Sequence, residues 1–180
     1  GKSTLLEMLA KWLREERGID SKKIIFVTFE DREILEKFSL APREFVESFV
    51  EEGAARHYFL LDEFHYVRDG GQKLKLLYDT LENVKFVITG SSSLEIVALS
   101  RYLVGRVFSF YLFPFSFYEF LNARDKRIAR IYRKKNDAIR NFVLKNENFE
   151  FGEDIFLKDL LKFFEEYVVF GGYPEVVKAR

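Results

Sequence analysis

The chain of 180 residues contains no cysteine, which excludes a disulfide framework, a thiolate metal site and a cysteine nucleophile. Two isolated histidines, His57 and His65, do not by themselves build a structural zinc site. No apolar run reaches the roughly 18–20 residues of a membrane span, and the opening residues lack the blocks of a signal peptide. No membrane partner is therefore expected, and the default location is cytoplasmic. Neither sign of charge prevails: 29 Lys and Arg balance 29 Asp and Glu, so any electrostatic binding must come from local patches. Against these absences, 48% of residues are apolar and 32% charged, a composition that excludes bulk disorder. A chain of this length suits one compact domain, or one plus a small appendage, burying about 70% of its unfolded surface.

The apolar pattern alternates between two periods. Leu5, Leu9, Trp12 and Leu13 share one face of a helix that Gly18 would stop. Ile24–Phe29 reads as a strand buried on both faces. Pro42 suits a first helical turn, with Phe45, Val46, Phe49 and Val50 as the stripe of a helix ending near Gly53. Tyr58–Leu61 then reads as strand, Leu74, Leu77, Tyr78 and Leu81 as helix, Phe86–Thr89 as strand, and Val107–Phe113 as a further strand. Strands separated by helical segments imply crossovers and a parallel sheet clad by helices, so residues 1–120 are expected to form an α/β domain. After Pro114 the stripe is helical throughout. Ile128, Ile131, Tyr132, Ile139, Phe142 and Val143 mark one helix, and Leu157, Leu160, Leu161 and Phe164 the inward face of another, so residues 121–180 are expected to be all-helical.

Four short motifs carry candidate chemistry. Gly1-Lys2-Ser3-Thr4, directly before an amphipathic helix, is the second half of a phosphate-binding loop. There, backbone N–H groups at the helix start cradle phosphate oxygens, Lys2 reaches the β- and γ-phosphates, and the Ser3 hydroxyl ligates Mg²⁺. The same four residues also serve as an ordinary helix cap. Asp62-Glu63 closes an apolar strand, where ligand sites of α/β proteins lie; an acid there holds Mg²⁺ and the following glutamate activates water, or both are simply a solvated strand exit. Thr89-Gly90-Ser91-Ser92-Ser93 ends the next strand in hydroxyls suited to sensing a γ-phosphate, or to an ordinary turn. Gly105-Arg106 offers an arginine for phosphoryl charge, against the plainer reading of a surface residue. Gly70-Gly71-Gln72 reads as a turn before a helix, and His65, two residues after Glu63, as a group that modulates the water site or, more plainly, as a loop histidine without a role.

Taken together, Gly1–Thr4, Phe59–Glu63, Phe86–Ser93, Leu103–Arg106, Leu112–Phe120 and Gly171-Gly172-Tyr173-Pro174 resemble, in order, the prokaryotic AAA-type ATP-binding proteins. These are related to signal-transduction ATPases that include the nucleotide-binding domains of immune receptors and apoptotic adaptors. The resemblance covers almost the whole chain and implies an AAA-like P-loop NTPase fold with ATP and Mg²⁺ as cofactors. It implies Gly1, Lys2, Ser3 and Thr4 at the phosphates, Ser3 and Asp62 at the metal, and Asp62-Glu63 as the Walker B pair with Glu63 as base. It further implies Ser91 as sensor, Arg106 as the arginine before the final strand, and Pro174 as the turn that contacts adenine. The implied partners are ATP or ADP and a C-terminal domain or protein partner. The first half of the loop and its preceding strand do not precede Gly1, so an upstream stretch is expected to complete them. Its strand belongs between those near Phe86 and Val107, where a gap or a borrowed strand is expected.

Charge asymmetry supports a separate reading. Residues 123–145 carry nine basic side chains (Arg124, Lys126, Arg127, Arg130, Arg133, Lys134, Lys135, Arg140 and Lys145) against two acidic ones, while 147–166 carry seven acids against two lysines. The basic stretch tracks a phosphate backbone or pairs with the acidic segment or a neighbouring domain. The leading expectation is slow ATP hydrolysis that repositions the C-terminal helices. Its alternatives are a non-hydrolysing, nucleotide-gated interaction module and a nucleic-acid-binding module using residues 123–145.

Overall fold

The computed structural model describes residues 1–50, 55–91, 101–146, 148 and 155–178. They form two compact units, Gly1–Phe110 and Tyr111–Arg180.

The first unit has the expected α/β class. Helix α1 (Lys2–Glu15) precedes β1 (Ile24–Thr28), α2 (Arg32–Leu40), α3 (Pro42–Glu47), β2 (His57–Asp62), α4 (Gly70–Thr80) and β3 (Val84–Ile88). The strands pair in parallel in the order β1-β2-β3, with Phe26 opposite Leu60 and Leu60 opposite Val87. Central β2 is buried almost throughout. Phe59 and Leu61 enter a core with Ile25, Val27, Phe29, Phe38, Val46, Phe64, Leu74 and Leu77. Edge-to-face ring contacts strengthen it, Phe29 to Phe64 at 5.4 Å and Phe38 to Phe64 at 6.0 Å, each worth about 0.5–1.5 kcal/mol beyond burial.

Leu60, fully buried but outside that core, lies on the opposite sheet face, because side chains alternate along a strand. Helix α1 packs on β2 and contributes nothing to the first core, so it covers the Leu60 face through Leu6 and Leu13. This corrects the reading of β1. It is an edge strand whose Ile25 and Val27 are buried while Phe26 is 43% exposed, since α1 lies over β2 and leaves the flank of that face open.

Helix α2 was not among the expected elements, although Ile34, Leu35 and Phe38 give it a short apolar stripe on the core. Its start is marked locally, the Asp31 carboxylate accepting from the N–H groups of Glu33 (2.9 Å) and Ile34 (3.3 Å). Gly70 and Gly71 are not a turn but the first residues of α4, both buried, with Gly71 under the Tyr102 ring. Residues 107–113 form no strand: Phe108 and Phe110 are about nine-tenths exposed. A β-branched and aromatic run becomes a strand only where a neighbour supplies its ladder, and the sheet of the described residues ends at β3.

The second unit is helical: α5 (Phe117–Arg124), α6 (Lys126–Lys145), α7 (Leu157–Phe170) and α8 (Pro174–Lys178). Ser116 and Glu119 form a reciprocal capping box at the start of α5. The Ser116 backbone N–H, and then its hydroxyl, hold the Glu119 carboxyl below the usual carboxylate range. The core is Phe120, Leu121, Ile128, Ala129 and Val177, with Leu160, Phe163 and Tyr167 packed on it. The inward face of α7 is thus rotated from the expected one, and Leu157, Leu161 and Phe164 are about half exposed. With nine apolar residues among fourteen, the apolar face of α7 is wide enough that the pattern does not fix which stripe points inward. Helix α6 buries only its first turns, leaving Ile139 and Val143 exposed.

Arg124 on α5 donates to the Glu166 carboxylate on α7, a pair only 15% and 21% exposed, and its ring-side neighbour is Phe120 at 5.7 Å. Glu166→Ala would strand a mostly buried guanidinium. It is expected to destabilise this unit by about 1–3 kcal/mol in urea unfolding; a loss below about 0.5 kcal/mol would mean the pair behaves as a surface ion pair.

Candidate functional site

The C-terminal ends of β2 and β3 are locked together by Thr89. Its N–H donates to Leu61 O (2.9 Å), its carbonyl accepts from Phe64 N–H (2.8 Å), and its hydroxyl donates to Asp62 Oδ1 while accepting from Glu63 N–H (3.3 Å). From the other side Phe29 N–H donates to Asp62 O (3.1 Å). Asp62 is 5% exposed, and among the described residues no cation pairs with it. A buried carboxylate is costly unless something positive completes it. By strand alternation Asp62 shares the face of Leu60, the face that α1 covers, so the helix opening on Lys2 and the buried acid lie on one side of the sheet.

Glu63 leaves the strand in the left-handed region, φ 51° and ψ 41°, uncommon for a residue with a side chain and costing about 1–2 kcal/mol. The turn Phe64–Tyr66 follows, anchored by buried Phe64. The bend brings three groups onto one point. The Ser91 hydroxyl donates to Glu63 Oε2 at 3.0 Å, and His65 Nδ1 lies 2.9 Å from the same oxygen. Ser91 N–H also lies 3.4 Å from His65 Nδ1. Nδ1 thus accepts from the Ser91 N–H while standing against Glu63 Oε2, which ties the Ser91 segment to the turn after β2.

The expected site residues fall in several places. Glu63 and Ser91 meet, and Asp62 stands beside them. Lys2 and Ser3 occupy the first turn of α1, half-buried, with no hydrogen bond or ion pair among the described residues. Leu5 N–H closes that turn on Gly1 O at 3.2 Å, and Thr4 is exposed. Arg106 ends a turn in which its N–H donates to Leu103 O (2.9 Å) and Gly105 takes φ 73°. Its guanidinium pairs with Asp79 at 2.6 Å and lies over Tyr78, both on α4. Pro174 opens α8 in the second unit. Ser92 and Ser93 lie outside the described residues. Two participants were not among the expected site residues: Thr89, expected only as one of the hydroxyls of the Thr89–Ser93 motif, and His65, for which a loop histidine without a role was the plainer expectation. Their signal in the sequence was proximity alone, His65 two places after Glu63 and Thr89 two places before Ser91.

The donor set suits Mg²⁺ held with a nucleotide better than an all-protein cage. Among the described residues no cluster of three or more His, Asp or Glu is positioned for a metal, and Mg²⁺ with phosphates typically takes only one or two carboxylates, keeping waters for the rest. Asp62, buried and without a cation among the described residues, could supply one.

A parallel sheet whose central strand ends in adjacent carboxylates, on the face of a helix that opens on Lys-Ser-Thr, defines the P-loop NTPase-like class of α/β fold. Residues 1–121 match the family model described as an AAA domain, and the chain belongs to that AAA-type, ATPase-like family. It is also similar to an uncharacterized protein of Haemophilus influenzae, 29% identical over 181 aligned residues that include 99% of this chain and 38% of that protein. The chain thus spans well under half the length of this relative. No solved structure matches it. No helix among the described residues is long and apolar enough to cross a membrane.

Proposed function

We propose that the chain is the ATP- and Mg²⁺-binding part of a cytoplasmic P-loop ATPase that hydrolyses ATP slowly and uses the nucleotide state to reposition its C-terminal helices. The observation that supports this most is the locked end of β2 and β3: a buried, cation-free Asp62 beside a Glu63 whose carboxylate is oriented by its neighbours. In this reading Gly1–Thr4 are the second half of the Walker A loop. Their N–H groups and the Lys2 ammonium bind the phosphates, while Ser3 and Asp62 hold Mg²⁺. The metal, when bound, screens charge on the β- and γ-phosphate oxygens. Glu63 accepts a proton from water as the water oxygen bonds to the γ-phosphorus and the bond to the β–γ bridging oxygen breaks, giving ADP and phosphate. Ser91 senses the γ-phosphate, Arg106 supplies charge once released from Asp79, and Pro174 contacts adenine.

A second reading, a nucleotide-gated module that does not hydrolyse, draws on the fact that the Glu63 carboxylate is already engaged, Oε2 accepting from the Ser91 hydroxyl at 3.0 Å. The nucleic-acid reading draws less support. Arg124 is engaged by Glu166, and Arg127 and Arg133 lie over Phe156 and Tyr118 at 5.8 and 5.7 Å, so part of the basic stretch serves its own unit.

Lys2→Ala tests the phosphate site. In the full-length chain it is expected to weaken Mg·ATP binding at least tenfold, by titration with a fluorescent ATP analogue, while thermal unfolding without nucleotide stays unchanged. Undiminished affinity would place the phosphates elsewhere.

A further inference from the structure

The arrangement around Glu63 contains one residue that the proposed chemistry does not use. His65 and Ser91 come from different segments, the turn after β2 and the exit of β3, yet both reach the same oxygen: the Ser91 hydroxyl donates to Oε2 at 3.0 Å, and His65 Nδ1, which accepts from the Ser91 N–H at 3.4 Å, lies 2.9 Å from Oε2. Oε1 has no hydrogen-bond partner among the described residues. The His65 ring is itself held against Tyr66, centroids 4.2 Å apart and 36° between planes, and its side chain is 17% exposed against 15% for Glu63. These are not two mobile surface groups that happen to touch. The left-handed backbone at Glu63 turns the chain so that side chains two residues apart come within 2.9 Å, closer than the same-face i, i+2 spacing of an extended strand.

A carboxylate that must take a proton from a water needs one oxygen free and the other fixed, because an unrestrained glutamate side chain spreads its population over several rotamers. We infer that His65 is a positioning residue for Glu63: by accepting from the Ser91 N–H and standing against Oε2 it holds that oxygen together with the Ser91 hydroxyl, and thereby presents Oε1 to the attacking water. The inference rests on Glu63 being the base of the ATPase reaction proposed above. Such a partner is the third member in the common arrangement of nucleophile, base and base-orienting group. His65 touches neither nucleotide nor metal in this account, so its loss changes the chemical step and leaves binding alone. Ser91 is shared between Glu63 and its sensing role, which makes His65 the cleaner residue to vary.

The test is steady-state ATPase kinetics on the full-length chain for wild type, His65→Ala, His65→Asn and Glu63→Gln, with Mg·ATP affinity measured on each. Asparagine places a side-chain amide, with an acceptor for the Ser91 N–H and a donor beside it, close to where Nδ1 stands. His65→Ala is expected to lower kcat about tenfold or more with KM and affinity within about twofold, and His65→Asn to restore most of the loss. An unchanged kcat in His65→Ala, or an equal loss in His65→Asn, overturns the inference while leaving the ATPase reading intact if Glu63→Gln is inactive. Full turnover in Glu63→Gln overturns that reading and the positioning role with it.

Discussion

Glu63→Gln in the full-length chain is expected to leave Mg·ATP affinity within about threefold of wild type and to reduce single-turnover hydrolysis by at least about 100-fold, the usual scale for removing a positioned general base. The substitution keeps shape and the oxygen that Ser91 contacts, and it removes only the capacity to accept a proton. Single-turnover conditions matter because product release sets the steady-state rate of many slow ATPases and would conceal a change in chemistry. Retained binding with lost turnover assigns the carboxylate to the chemical step. Unaltered turnover would locate the base elsewhere, and wild-type protein that binds ATP but never hydrolyses it would favour the gated, non-hydrolysing module. Asp62 differs in kind: it is buried and hydrogen-bonded to Thr89, so varying it confounds metal binding with the integrity of the sheet end.

The second large effect belongs to the helical unit. Gly172→Ala is expected to destabilise it by about 2–4 kcal/mol, read as a lower urea midpoint with little change in slope. A Cβ on Gly172 would stand 2.1 Å from the Phe115 carbonyl oxygen and 3.0 Å from Phe115 C and N. These are backbone atoms and have no rotamer to yield. The same atoms are already committed: Phe115 N–H donates to Gly172 O at 2.7 Å, and the Tyr167 hydroxyl donates to Phe115 O at 2.8 Å. Relieving the clash therefore breaks one or both hydrogen bonds in a site where their partners are largely withdrawn from water. Its neighbour Gly171 is glycine for another reason, ending α7 at φ 74°. A Gly172→Ala midpoint indistinguishable from wild type would show that the two segments separate without cost.

The Gly171–Pro174 turn shows how a motif can be legible while its use is not. The sequence resemblance offers Pro174 an adenine; the structure shows Gly172 serving the packing of its own unit, a role that depends on Phe115, 57 positions away in the chain. The same holds at the site. Apolar strand and carboxylates were plain from Phe59-Leu60-Leu61-Asp62-Glu63, because burial on both faces and a charged exit are local properties of a string of residues. That His65 would turn back onto Glu63 was not, since it depends on a left-handed φ at a non-glycine position, which no composition or period encodes.

The sequence alone determined the α/β class, the three strand segments before residue 90 and the helices around them other than α2, because hydrophobic period and residue chemistry are written within a few neighbours. Only the tertiary structure decided which strand face α1 covers, why Phe26 remains open, which stripe of α7 points inward, that 107–113 takes no strand, and that Thr89, Ser91 and His65 converge on two adjacent carboxylates. Each of these depends on what lies opposite in space. A side chain's partner across a sheet or between helices is fixed by the closing of the chain on itself, and that information is distributed over segments that share no local pattern.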